Sequence, residues 1–153
     1  MLDDCYGDIN MIKIIAVGRI KEDYSKSAIA NYLARIKHYA KLEINEVPEQ
    51  GMEKEADKIL QLIDGRQYAV LEVNGRQLDS PEFAELIKQK TINNQDIIFV
   101  IGGSDGLSQK VISQAAQKLS LSRMTFAHGM CRVFLLEQIY RAFTIINNQK
   151  YHK

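Results

Sequence analysis

The chain has 153 residues, of which 46% are hydrophobic and 25% charged, and its 20 basic and 19 acidic residues give a net charge of +1. This composition is typical of one soluble globular domain and argues against a disordered chain. No apolar run approaches the roughly 18 to 20 residues that cross a bilayer, and the start MLDDCYGDIN is acidic where a secretory signal would be basic, so we expect a cytoplasmic protein that does not contact membranes.

The cysteines and the charge distribution narrow the possible partners. Cys5 and Cys131 lie far apart and have no CxxC or Cys/His partner at metal-ligand spacing, so we expect no metal, and Cys131 fits a small core residue. Residues 107–153 carry seven bases and one acid. Such a basic block can attract a polyanion such as RNA, and it can equally be a solubilising surface.

The first half of the chain alternates predicted strands and helices. Residues 1–10 have no period and a poor core composition, so we interpret them as an extension without function. MIKIIAVGRI, which opens at Met11, predicts a buried strand, and apolar residues at helical spacing predict an amphipathic helix over residues 25–39. The same patterns predict a strand at 42–47, a helix at 53–63 and a strand at 67–73 that ends at Asn74-Gly75.

The middle of the chain carries the clearest signals. DSPEFAELI predicts a helix with Ser80 as its N-cap and Pro81 in its first position. DIIFVI, residues 96–101, is apolar on both faces, as a central parallel strand is. Strands and helices that alternate without a linker or repeat predict a single α/β domain over residues 11–153, built on a parallel sheet.

A glycine-rich turn, GGSDG, follows that strand. Gly102, Gly103 and Gly106 precede a helix that is predicted to begin near Ser108, at the place where α/β proteins bind ligands outside the carboxyl ends of their strands. A tight turn that holds no ligand explains the glycines equally well. The spacing fits neither GxGxxG nor a phosphate loop, and none of the three histidines stands in a hydrolase motif. If chemistry occurs here, we expect a reactive cosubstrate to supply much of it.

The C-terminal third predicts a helix that is apolar on nearly every side. A polar-apolar segment, Leu119 to Phe126, leads into this helix, whose apolar residues run from Val133 to Ile146. A helix of this kind is buried on more than one side, and one sheet cannot cover it. We therefore expect a homodimer in which a second copy covers part of the helix.

Four stretches of the sequence resemble one known family. They are FVIGGSDGLS, LSLSRMTFAH, RVFLLEQIYRAFTIINN and the terminal Tyr-His-basic ending, and together they are similar to the ribosomal RNA large-subunit methyltransferase H family of the SPOUT superfamily, from Met11 to the end. The resemblance implies an α/β fold with a C-terminal trefoil knot, a homodimer, and S-adenosylmethionine bound in the knot. It also implies methylation at N3 of a pseudouridine in 23S rRNA within the assembled 70S ribosome.

The resemblance also implies a cofactor pocket, carried over position by position. The expected lining residues are Leu71, Gly102, Gly103, Leu121, Ser122, Arg123, Met124, Thr125 and Phe126. Apolar side chains with loop amides suit an adenine ring, and the glycines let the cofactor approach the chain closely. Plain core packing is the alternative for Leu121 and Met124.

Four residues are candidates for the chemistry that the resemblance implies. The imide N3 carries a proton, so a general base or a positive group beside it would help, and the candidates are His128, Arg132, Tyr151 and His152. The alternatives are a helix cap for His128 and a surface charge for Arg132. Arg141 and Lys153 are candidates for holding RNA phosphates.

The chain departs from the family pattern at three places. It has Ser104-Asp105 where the family commonly has Pro-Glu, Ala127 where the family has Pro, and a tail QKYHK that ends in Lys where the family has Arg. The change of Arg to Lys keeps the charge and loses the bidentate fork, which weakens the expectation that the tail contacts RNA. A non-catalytic knotted RNA- or ribosome-binding module is the alternative function. An unrelated nucleotide-binding enzyme is disfavoured because phosphate motifs are absent.

Overall fold

The computed structural model describes residues 11–127 and 129–153. The N-terminal extension, residues 1–10, and the candidate His128 lie outside the described residues. Within them, strands and helices alternate as β1 (Ile12–Val17), α1 (Asp23–Ile36), β2 (Leu42–Val47), α2 (Met52–Ile63), β3 (Ala69–Gln77), α3 (Ser80–Ile92), β4 (Ile97–Ile101), α4 (Gln109–Gln114), β5 (Gln117–Ser120) and α5 (Met130–Ile146).

The strands form one parallel sheet in the order β2-β1-β4-β3-β5. The central pair, β1 and β4, is set in register by Ile14 opposite Phe99, and every residue of β4 is buried. A strand buried on both faces reads as a continuous apolar run, and this is how β4 reads in the sequence. The prediction of an α/β fold on a parallel sheet is confirmed, and the trefoil knot stays a prediction.

Two helical layers cover the two faces of the sheet. α1, α3 and α5 bury one face, with Phe99, Leu135 and Ile139 in that core. α2 and α4 bury the other face around Val70 and Val100. Two layers are needed because alternate residues of a β-strand point to opposite faces of the sheet. Each apolar face must then be covered by its own helices.

α5 is largely covered within a single chain. Leu135, Leu136 and Ile139 are fully buried against α1, α3 and the sheet. Phe134 is the exception among its large apolar side chains, with 38% of its surface exposed. The sequence argument that one sheet cannot cover this helix is right, but two neighbouring helices supply most of the remaining cover.

Several element boundaries differ from the sequence predictions, among them α1, which spans Asp23–Ile36 instead of 25–39, and two of the differences have a clear cause. The N-cap of α3 is Asp79 and not Ser80, because Asp79 stands three residues before Glu82 and the two form a capping box: the Asp79 carboxylate accepts from the Glu82 amide at 2.8 Å. β3 continues to Gln77 instead of ending at Asn74-Gly75. Its register against β5 shifts between Leu71 and Arg76, so the Asn-Gly pair marks a bend within the strand.

In the part of the chain that the structure describes, no helix combines the length and the apolar character needed to cross a membrane. The same residues contain no group of three or more His, Cys, Asp or Glu side chains placed to hold a metal ion.

Candidate active site

A cleft of about 650 Å³ opens at the carboxyl edge of the sheet. Val17 and Ile101 reach it from the carboxyl ends of β1 and β4, Leu71 from the point where β3 stops pairing with β4, and Leu121 from just beyond β5. The volume lies within the range of about 300 to 1,000 Å³ that small-molecule sites occupy. Its position agrees with the expected ligand site outside the carboxyl ends of parallel strands.

The cleft brings together most of the residues expected to bind a cofactor. Eight of the nine line it: Leu71, Gly102, Gly103, Leu121, Ser122, Met124, Thr125 and Phe126. The ninth, Arg123, is exposed and is not among the lining residues. A cofactor role for Arg123 therefore stays a prediction that this geometry does not support.

The glycine-rich turn is tight for reasons internal to the chain. The Gly106 amide donates to the Gly103 carbonyl at 3.0 Å, and Gly106 has φ +78°, in the left-handed region. A Cβ on Gly102 would lie 2.8 Å from the Gly106 carbonyl carbon, and a Cβ on Gly103 would lie 3.0 Å from Val17 Cγ1. The turn therefore requires its glycines for reasons of internal packing, and it also forms one wall of the cleft.

The segment after β5 forms the opposite wall. The Ser122 hydroxyl accepts from the Met124 amide at 3.0 Å, and the Ser120 hydroxyl donates to the Ser122 carbonyl at 2.9 Å, which shapes a short turn. Met124 is 76% exposed, so core packing does not explain it. Phe126 packs edge-on against Phe134 at 4.9 Å between ring centroids.

Arg132 is held at the cleft by two hydrogen bonds. Its Nη1 donates to Glu46 Oε2 at 2.9 Å in an ion pair, and its Nη2 donates to the Gly18 carbonyl at 3.2 Å. The Arg132 side chain is only 5% exposed, so the interpretation as a surface charge is wrong. The guanidinium ties the start of α5 to the ends of β1 and β2.

Cys131 also lines the cleft and is half-buried, close to the core role predicted for it. Burial raises the pKa of its thiol to about 11, against the opposing effect of the Arg132 charge. At neutral pH the side chain is therefore a protonated thiol, which is a poor nucleophile.

The tail residue Tyr151 packs on α5 away from this cleft. Its hydroxyl donates to Glu137 Oε1 at 3.2 Å, its ring meets Tyr140 edge-on at 4.8 Å, and the Arg141 guanidinium lies 4.8 Å from its centroid. Burial, followed by hydrogen bonds and charges from Tyr32 and Glu137, raises the pKa of Tyr151 to about 12. Its phenol is thus a hydrogen-bond donor at neutral pH.

His152 lies at a second cleft, also of about 650 Å³, on the far side of a shared wall. Its Nδ1 is 3.1 Å from Arg141 Nη1. Leu71, Leu121 and Phe126 line both clefts. Within one chain the structure therefore separates the catalytic candidates: Arg132 lies in the first cleft, and His152 lies behind its wall.

Three residues of the site escaped the sequence analysis. Glu72 and Met52 line the cleft, and Glu46 pairs with Arg132. Glu72 could have been recognised from the sequence, because it is a charged residue near the carboxyl end of the apolar strand predicted at 67–73. The Glu46–Arg132 pair had none, since the two residues are 86 positions apart.

Comparison with known proteins points to one family. The sequence model described as Predicted SPOUT methyltransferase matches residues 11–152. A protein named Ribosomal RNA large subunit methyltransferase H from Caldicellulosiruptor saccharolyticus is 44% identical over 154 residues, which cover 94% of this chain and 100% of that protein. Proteins of the same name from Limosilactobacillus fermentum and Enterococcus faecalis are 46% and 42% identical, each over 93% of this chain and 99% of its own length.

Solved structures at low identity share the fold. The TrmH/SpoU tRNA modifying enzyme of A. aeolicus is 13% identical and superposes with a TM-score of 0.50 over 93% of this chain and 79% of its own. The SpoU methyltransferase AviRb from Streptomyces viridochromogenes, solved in complex with AdoMet, is also 13% identical, with a TM-score of 0.50 over 92% of this chain and 61% of its own.

Proposed function

Because the chain belongs to the SPOUT methyltransferase family, it is a methyltransferase, and we propose that it methylates large-subunit ribosomal RNA with S-adenosylmethionine as the methyl donor. The relatives at 42 to 46% identity bear the name of an rRNA methyltransferase and match over nearly their whole length. The observation that carries the proposal is the cleft at the carboxyl edge of the sheet, which gathers eight of the nine expected cofactor residues.

The residues of the cleft fit S-adenosylmethionine chemically. Leu71, Leu121 and Phe126 offer apolar contact for an adenine ring, and the turn at Gly102 and Gly103 offers backbone amides and carbonyls. When bound, the sulfonium supplies an already activated methyl group. The protein then has mainly to orient the acceptor nitrogen and exclude water.

The finer assignment, which follows from the family resemblance, is methylation at N3 of a pseudouridine in 23S rRNA on the assembled 70S ribosome in the cytoplasm. The ion pair with Glu46 offsets the charge of Arg132, so this residue would act by positioning the start of α5. Tyr151, protonated at neutral pH, would donate a hydrogen bond. His128 and His152 remain the candidates for accepting the N3 proton.

We also propose that the enzyme is a homodimer with the trefoil knot of its superfamily. Met124 and Phe134 are exposed by 76% and 38% beside the two clefts, and Phe126 packs edge-on against Phe134. Large exposed apolar side chains on one part of the surface favour a protein interface. A second copy on this surface would bury them next to the cofactor.

The direct test is transfer of labelled methyl from S-adenosylmethionine to 70S ribosomes from a strain that lacks the modification. Free 23S rRNA and separated subunits serve as parallel substrates. We expect label on 70S particles alone, in a pseudouridine. The alternative, a non-catalytic RNA- or ribosome-binding module, predicts no label on any substrate.

Cofactor binding to the cleft has a matched pair of variants. Met124 and Ile92 are both strongly exposed, at 76% and 61%, but only Met124 lines the cleft. We expect Met124→Ala to weaken S-adenosylmethionine binding by about three- to tenfold, because one apolar contact is lost. Ile92→Ala should leave the affinity unchanged, and equal effects of the two variants in calorimetry would contradict the site.

A further inference from the structure

The connection between β1 and α1 carries exposed basic and aromatic side chains. Arg19 and Lys21 are exposed, and Tyr24, in the first turn of α1, is 63% exposed. Tyr24 is the most exposed aromatic side chain among the described residues, the rest of which are buried, half-buried or, for Phe134, 38% exposed. A large aromatic ring that faces water between cations has no packing role to explain it.

This connection forms part of the rim of the cleft. The Gly18 carbonyl accepts the hydrogen bond from Arg132, which lines the cleft. On the same rim, Ile20 Cδ1 lies 3.0 Å from the position of a Cβ on Gly129, a residue that also lines the cleft. Arg19 and Lys21 are exposed and flank Ile20 in the chain, so each lies one residue away from this contact with the cleft.

Some cations of the basic C-terminal block are already paired. Three of its seven are in ion pairs, namely Lys110 with Asp57 at 3.0 Å, Arg132 with Glu46 at 2.9 Å and Arg141 with Glu137 at 2.6 Å. By contrast, within the described ranges no carboxylate lies within 4.0 Å of the Arg19 or Lys21 cation. Arg19 and Lys21 therefore add unpaired positive charge from the N-terminal third of the chain to that of Arg123, which is exposed between the cleft-lining Ser122 and Met124.

Two acidic residues share the connection, and within the described residues neither forms an ion pair with Arg19 or Lys21. Glu22 has its Oε2 buried, 3.9 Å from the position of a Cβ on Gly129, so this oxygen faces inward. Asp23 stands in the first turn of α1, where a carboxylate complements the helix dipole. Arg19 and Lys21 remain exposed to an approaching polyanion.

We propose that Arg19, Lys21 and Tyr24 form a docking surface for single-stranded RNA beside the acceptor base. The two cations would hold backbone phosphates, and the tyrosine ring would stack on an unpaired base, which are two common contacts of proteins with single-stranded RNA. The inference rests on the proposed function, and it adds an RNA contact on β1–α1 to any that the basic C-terminal block makes.

The test compares substitutions at this surface with a matched pair at the opposite edge of the sheet. The variants are Tyr24→Leu, Tyr24→Phe and the double variant Arg19→Gln/Lys21→Gln. The control is Lys37→Gln/Lys41→Gln, which removes two exposed cations near the amino end of β2. The readouts are kcat, the KM for the RNA substrate, the Kd for S-adenosylmethionine, and anisotropy with a labelled single-stranded RNA oligonucleotide.

We expect Tyr24→Leu to raise the RNA KM and the oligonucleotide Kd by about fivefold or more, and Tyr24→Phe to stay near wild type, because stacking needs the ring and not the hydroxyl. The Arg19/Lys21 double variant should lower the slope of log affinity against log salt by about 1.4, at about 0.7 per phosphate contact on a single strand. The Lys37/Lys41 control should change less in both assays. The Kd for S-adenosylmethionine should not move.

Unchanged RNA affinity in folded Tyr24→Leu and in the double variant would overturn the docking surface, as would an equal effect of the Lys37/Lys41 control. Loss of S-adenosylmethionine binding in step with RNA binding would also overturn it, since the effect would then come from a distorted cleft. Failure of the proposed function looks different: the wild-type enzyme would transfer no methyl group, while the oligonucleotide assay would still report on Tyr24.

Discussion

Gly75 lies where β3 crosses β5 in direct backbone contact. A Cβ at Gly75 would lie 2.7 Å from the Leu119 carbonyl carbon and 2.8 Å from both the Leu119 nitrogen and the Lys118 carbonyl carbon. All three atoms are backbone, so no side chain can rotate away. The Gly75→Ala variant therefore tests whether this crossing fixes the relative position of the two strands.

The size of the effect follows from these distances. Ordinary contact begins at 3.4 Å, so the strands would have to separate by 3.4 − 2.7 = 0.7 Å. Overpacking of a tight site costs about 1 to 3 kcal/mol, and we expect about 3 kcal/mol here because backbone must move on both sides. Leu119 stands two residues before Leu121, which lines the cleft, so the same shift should weaken S-adenosylmethionine binding.

Gly65→Ala is the matched control for this experiment. A Cβ at Gly65 meets nothing within 4 Å, but φ is +75°, so alanine there is strained without any clash. We expect a loss of about 1 to 2 kcal/mol from that strain, with no change in cofactor affinity. Urea denaturation at one fixed protein concentration gives the stabilities, and calorimetry gives the Kd. A Gly75→Ala protein that is as stable as Gly65→Ala and binds the cofactor normally would refute the reasoning.

Three further predictions concern polar and titratable side chains around the clefts. Glu46→Gln leaves the Arg132 guanidinium buried without its carboxylate partner, so the free energy of unfolding should fall by about 1 to 3 kcal/mol in urea denaturation. Adding Arg132→Met removes the unpaired charge and should recover part of this loss. No recovery would contradict a stabilising Glu46–Arg132 ion pair. The pKa of Tyr151, raised from 10.0 to about 12, predicts a phenol that ionises late, so an ultraviolet titration should lose a step near pH 12 in Tyr151→Phe. Because this pKa is higher in the folded chain, its contribution to stability is complete below about pH 10 and is lost as the pH rises through about 12; a Tyr151 step near pH 10 would refute this. In a Cys5→Ser background, the pKa of about 11 for Cys131 predicts that alkylation of this thiol speeds up about tenfold per pH unit from about pH 8 to 10. Added S-adenosylmethionine should slow the alkylation. Labelling of Cys131 at a rate independent of pH would contradict the raised pKa.

The sequence predicted the layers of the fold because they depend on local periodicity. The continuous apolar run of β4 and the amphipathic pattern of α2 each identify an element and its buried face. The boundary errors have non-local or competing causes. β3 runs past Asn74-Gly75 because β5, more than 40 residues later in the chain, pairs with it again at Arg76. The cap of α3 moves to Asp79 because two adjacent residues can both cap a helix, and only one has a glutamate three positions on.

The candidate site was predictable only in part. Its cofactor residues came from motif resemblance, and eight of the nine do line one cleft. The contacts that hold the site together were out of reach, because Arg132 meets Glu46 across 86 positions and Gly18 across 114. The exposure of Met124 could not be predicted either, because its segment follows a turn at Ser122. From sequence alone, an apolar residue in a loop cannot be told from a core residue, since its exposure depends on where the loop lies in the fold.

The two walls of the cleft differ in how firmly the chain itself holds them. The space that a Cβ would take at Gly102 and Gly103 is occupied by Gly106 and Val17, so the shape of that turn is set by internal packing and does not depend on a ligand. The facing segment is held mainly by short turn hydrogen bonds, and Met124 within it is 76% exposed. A ligand that meets one preformed wall loses less ordering entropy on binding than one that must organise both. The cofactor would therefore order chiefly the segment after β5, which also lies beside the exposed Phe134, so cofactor binding and contact with a second copy should favour each other.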